Sequence, residues 1–121
     1  MNMKDFRNLL VWTKSHQITL DVYKVTAGFP KSELYGLTNQ IRRASVSIPT
    51  NIAEGCGRGS DADFARFLQI AFGSSNEVDY LLLLSFDLGM IAETIFAKLN
   101  SQIVEIKRMV SGLLKKLKGD R

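Results

Sequence analysis

The chain is poor in the residues that build stapled, turn-rich or metal-bound proteins. Among its 121 residues there is one cysteine, Cys56, one histidine, His16, and two prolines, Pro30 and Pro49. A lone cysteine cannot close a disulfide within the chain, which fits a reducing compartment, and the cytoplasm is the expected location. One histidine and one cysteine do not make a metal site without carboxylates arranged for the purpose, so no metal and no cofactor is expected. So few prolines leave little turn chemistry for a β-sandwich. Long apolar runs are missing too: the longest, Tyr80 to Leu84, lies between Asp79 and Asp87, far below the roughly 20 residues that cross a bilayer. The first residues carry Lys4, Asp5 and Arg7 within their apolar run and offer no small-residue cleavage site, so they do not read as a signal peptide. No membrane partner is expected.

What is present is an ordinary globular composition, 45% apolar and 23% charged, and the length suits one domain spanning residues 1–121. Charge is zoned. Residues 1–58 hold eight basic against four acidic side chains, residues 59–104 two against six, and residues 105–121 six against two, giving +4, −4 and +4. Two basic zones around an acidic one suit either a nucleic-acid footprint or attraction between helices or subunits.

Apolar spacing is helical throughout. Leu10, Val11, Ile18, Val22 and Val25 predict a first helix from Phe6 to Ala27, with Gly28 as a left-handed stop. Pro30 breaks the chain, and Ser32 with Glu33 predicts the cap of a second helix whose seam runs Leu34, Leu37, Ile41, Ala44 and Ile48. Pro49 falls within it, so that helix either kinks and continues to Gly55 or breaks at Ile48. Ser60 with Asp63 predicts the start of a third helix, ending before Gly89 and apolar around most of its circumference between Phe64 and Phe86. Residues 91–117 carry a fourth, through Ile95, Leu99, Ile103, Ile106, Val110, Leu113 and Leu117. The fold class expected is all-α, an antiparallel up-down-up-down four-helix bundle.

Gly55, Gly57 and Gly59 followed by Ser60 imitate a phosphate loop. A dinucleotide fingerprint requires a preceding strand, and a phosphate loop also requires its Gly-Lys-Ser/Thr ending; this stretch has neither, so it reads as a linker. Arg58 stands at that turn, next to the positive end of the third helix. Catalysis has no support either: Cys56 lacks an evident base and reads as an inert loop thiol, and Glu77 and Asp79 project about 200° apart on a helix.

Three blocks carry a resemblance: Gln-Ile-Arg-Arg-Ala at 40–44, Asn-Ile-Ala-Glu-Gly at 51–55 and Gly-Ser-x-x-Glu at 73–77. With them the chain, from about Phe6 to Leu117, resembles the four-helix-bundle family encoded in intervening sequences of bacterial large-subunit rRNA genes, often labelled S23. It is also similar to accessory proteins of diversity-generating retroelements. The resemblance implies an antiparallel bundle assembled as a homopentamer, and basic surfaces that engage RNA or DNA and, in the retroelement setting, a reverse transcriptase.

Gln40, Asn51, Glu54 and Glu77 are expected to form a buried polar network tying the second helix to the third. Arg42 and Arg43 either pair with Glu54 or Glu77 or face outward to bind phosphate, and since adjacent arginines project about 100° apart one of each fate is expected. These two, with Arg58 and the C-terminal zone of Lys107, Arg108, Lys115, Lys116, Lys118 and Arg121, are the candidate nucleic-acid contacts; a solvated helix end is the alternative for that zone. The function expected is a non-enzymatic, oligomeric accessory protein associated with nucleic acid. The alternative is a protein-interaction scaffold.

Overall fold

The structure is a computed structural model and describes residues 5–119. The expected first helix is interrupted at its start. Asp5 caps a single 3-10 turn, Phe6–Asn8, its carboxylate accepting from the Arg7 amide at 2.9 Å, and extended Leu9 separates this turn from α1, Leu10–Thr26. Leu10 points outward, and the core face of α1 runs through Val11, Ile18 and Val22. Gly28 is not left-handed. The chain leaves α1 by a tightened last turn, with amide bonds from Gly28 to Val25 and from Phe29 to Thr26, and this delivers Phe29 into the core ahead of Pro30.

Ser32 caps nothing. Lys31–Glu33 is a 3-10 turn and Leu34–Thr38 a π-type turn, and Glu33 acts instead, accepting from the Leu37 amide at 3.1 Å. The seam therefore begins at Leu37; Leu34 is exposed. Helix α2, Asn39–Cys56, runs unbroken through Pro49. Proline removes the amide that would serve the Ser45 carbonyl, and the structure supplies a replacement: the Thr19 hydroxyl, from α1, reaches that oxygen at 2.8 Å, its one proton shared with the Ser15 carbonyl of its own helix at 2.9 Å. A buried acceptor that would otherwise be orphaned becomes a link between two helices. Gly55 does not end α2. A Cβ there would lie 2.7 Å from Phe64 Cδ1 and 3.0 Å from Phe67 Cβ, so glycine lets α2 and the next helix meet closely.

Helix α3, Asp61–Asp87, starts where its cap predicts: Ser60 Oγ accepts from the Asp63 amide at 3.1 Å. It ends at Gly89, φ 75°, with amide bonds from Gly89 to Phe86 and from Met90 to Ser85, an arrangement open to a residue without Cβ. Helix α4 spans Glu93–Leu117. No strand occurs among the described residues.

The four helices form a closed antiparallel bundle in which each packs on its neighbours in sequence and α4 returns against α1. Ile48, Ile52, Leu68, Val78, Ile103 and Val110 lie at its centre, fully buried. Ser15, Ser75 and Ser85 are also buried, each hydroxyl donating to the carbonyl four residues back. The α1–α4 seam is more polar: Asp21 accepts from Gln17 Nε2 at 3.1 Å and from Gln102 Nε2 at 3.0 Å. Antiparallel order places the Arg58 turn and the C-terminal end of α4 at one end of the bundle, and the start of α2 at the other.

Candidate functional site

The expected buried network does not form within the chain. Gln40, Glu54 and Glu77 are exposed, and Glu54 forms a surface pair with Arg58 one turn on, at 3.3 Å. Asn51 is half-buried and bonds along its own helix, Nδ2 donating to the Ser47 carbonyl at 2.8 Å and to Ser47 Oγ at 3.0 Å. The polar tie between α2 and α3 is a pair of hydroxyls, Ser47 and Ser74, 2.8 Å apart. Serine on a helix is rarely distinctive in sequence, and the one signal for Ser47 is its position four residues before Asn51. Membership of the sequence blocks does not place Gln40, Glu54 and Glu77 in the interior, because burying unpaired charge is too costly.

The candidate cations divide into two groups. Arg42 turns inward: Nε donates to Thr26 Oγ1 at 2.8 Å, Nη2 to the Tyr23 carbonyl at 3.4 Å, and the guanidinium lies over the Tyr23 ring, 4.7 Å from its centroid. Its partners are thus on α1, not Glu54 or Glu77. Arg58 is held by Glu54 and by the Phe67 ring, and Lys107 pairs with Asp79 at 3.0 Å. Arg43, Arg108, Lys115, Lys116 and Lys118 are exposed and have no side-chain hydrogen bond or ion pair among the described residues. Arg121 lies outside those residues. The exposed residues of α4 include Lys98, Arg108, Lys115 and Lys116 against two acidic ones, Glu93 in the first turn and Glu105, which is paired with Lys14 at 3.1 Å.

Gln40, Arg43 and Glu77, which come from two of the three sequence blocks, meet along one open groove between α2 and α3. Tyr35, Asn39, Ser47 and Ser74 complete its walls, around a volume of about 530 Å³. A second groove, about 580 Å³, lies between α1 and α2 and is lined by Phe6, Trp12, His16, Val46, Pro49 and Glu54. His16 is exposed there and stacks on Trp12, with ring centroids 4.9 Å apart and planes 9° from parallel. Cys56 is buried at the last position of α2, not in a loop, and burial pushes its thiol pKa up, with the Asp5 charge adding to that effect. A thiol shifted upward is a poorer source of thiolate. Among the described residues no three His, Cys, Asp or Glu side chains cluster to hold a metal, and no helix is long and apolar enough to cross a membrane.

A closed antiparallel bundle of four helices, with open outer grooves and a basic face on α4, places the chain among small all-α bundle proteins. More narrowly, it belongs to the 23S rRNA-intervening sequence protein family, whose model matches residues 7–112. It is similar to a crystal structure of a protein of unknown function from the S23 ribosomal protein family of Bacteroides thetaiotaomicron, at 28% identity and a TM-score of 0.79, covering 88% of this chain and 99% of that one. No curated protein matches the chain.

Proposed function

We propose that the protein is a non-enzymatic accessory protein of the cytoplasm, which assembles as a homopentamer and holds RNA or DNA on repeated basic surfaces. The observation that carries this reading is the division of the cations. Arg108, Lys115, Lys116 and Lys118 are exposed without ionic partners among the described residues, concentrated on the outer face and end of α4. Neutralisation by phosphate is the use open to such a group, each contact being weak and a ring of copies adding multivalency. Where the gene stands beside a reverse transcriptase, that enzyme is the protein partner to test.

A scaffold without nucleic-acid binding is the second reading. The α1–α2 groove favours it, with half-buried Trp12 and exposed Val46 available to another protein. The deciding experiment is fluorescence anisotropy with RNA and duplex DNA across a salt series, with light scattering on the same samples. Binding should weaken with a log–log slope of about −0.7 to −0.9 per neutralised phosphate. Reversing Lys115, Lys116 and Lys118 to Glu should flatten that slope by about two to three contacts without changing the assembled mass. No binding by the wild type at low salt would leave the scaffold standing, and a monomer at micromolar concentration would remove the ring.

A further inference from the structure

The groove between α2 and α3 holds a combination of groups that the bundle itself does not use. Tyr35 is 91% exposed, although it sits in the turn Leu34–Thr38, which is pinned from inside by the bond from the Leu37 amide to Glu33. An aromatic ring held outward on a fixed turn, with no ring or cation contact among the described residues, leaves its face open. One helical stripe below it carries Asn39 and Arg43, with Gln40 beside them, and α3 supplies Ser74 and Glu77 from the facing wall. Neither the Arg43 guanidinium nor the Glu77 carboxylate has a side-chain partner among the described residues, although both line the same groove.

We infer that this groove binds an unpaired base of a single-stranded nucleic acid together with its adjoining phosphate. Tyr35 is the stacking platform, Arg43 meets the phosphate, and the carboxamides of Asn39 and Gln40, each both donor and acceptor, pair with the base edge. The chemistry of the walls selects this occupant. An amphipathic helix of another protein would set apolar side chains against two amides and two charges and leave them unpaired. A duplex hides the base edges that these amides would reach. The inference rests on the nucleic-acid reading above, but on different residues: the Lys115–Lys118 cluster lies at the opposite end of the bundle, so the two fail separately.

The test uses the full chain and fluorescence anisotropy with labelled oligoadenylate, alone and annealed to oligouridylate. The wild type should prefer the single strand. Tyr35→Ala should weaken single-strand binding about 5- to 150-fold, the range of one lost base stack, and leave duplex binding unchanged, while Tyr35→Phe should retain most of it. Arg43→Gln should weaken single-strand binding and reduce its salt slope by about one contact. If Tyr35→Ala binds the single strand as the wild type does, while reversal of Lys115, Lys116 and Lys118 abolishes binding, the groove is not a base site and only the basic-surface reading survives. If Tyr35→Ala lowers the assembled mass by light scattering, the groove is a contact between copies and the inference is overturned. Absence of wild-type binding to either probe overturns both.

Discussion

At the residue scale, the pairing of Thr19 with the Ser45 carbonyl explains how a helix keeps a proline in its interior. The hydroxyl reaches from α1 to the carbonyl that the missing amide of Pro49 would have served, and the acceptor is fully buried. Thr19→Val should therefore cost about 1–3 kcal/mol in urea unfolding. Restoring the amide by Pro49→Ala should recover much of that loss, so the double variant should be clearly more stable than the two single changes added together; strict additivity would show that the bond contributes nothing. Cys56 offers a pH signature. Its pKa is raised by burial first and by Asp5 second, so the folded state holds the thiol proton more tightly than the unfolded chain. The resulting stability is present below about pH 8.5, the ordinary thiol range, and is lost as pH rises through the higher folded value. Urea midpoints of the wild type should fall over that alkaline window, and those of Cys56→Ala should fall less.

At the element scale, three glycines inside helices behave differently. Gly55 stands against Phe64 and Phe67 with no room for a methyl group, whereas Gly73 on α3 and Gly112 on α4 have open space around them. Gly55→Ala should destabilise by about 1–3 kcal/mol through overpacking. Gly73→Ala and Gly112→Ala should stabilise by about 0.5–1 kcal/mol, since an exposed helix gains from the lost backbone entropy of glycine. Thermal melts with light scattering check both, and a Gly73→Ala variant that loses assembled mass would place a neighbouring copy over that site. The same elements show what could be read beforehand. Ser60 and Gly89 marked the ends of α3 correctly because each acts through bonds within a few residues of itself. Gly28 and Ser32 misled because the tertiary pull of Phe29 into the core and the reach of Glu33 to Leu37 decided those ends. Continuity through Pro49 was undecidable along one helix, since its solution comes from Thr19, on another. The candidate site divided in the same way: the cations were legible as a charge zone, but which were already paired depended on neighbours across the bundle, such as Asp79 for Lys107. Tyr35 was missed because an aromatic in a turn between helices has no periodicity to report it.

At the scale of the whole molecule, the outer faces are less uniform than the expectation of an apolar α3 implied. Arg66, Gln69, Gly73, Asn76 and Glu77 interrupt the exposed Ile70, Tyr80 and Leu83, so a subunit contact on α3 would be mixed and sensitive to charge as well as area. The α1–α4 seam has a kinetic meaning. Its bond from Gln102 to Asp21 joins residues 81 apart, whereas the Ser47–Ser74 tie joins residues 27 apart, and closing the longer loop costs about 1 kcal/mol more in chain entropy. The seam is also bridged by amides around a carboxylate, where α2 and α3 meet through Gly55, Phe64 and Phe67. The first helix is thus the last to join and the first to leave: its amides should exchange with deuterium earlier than those of α3 under native conditions, through an opening that frees α1 while the hairpin of α2 and α3 stays intact.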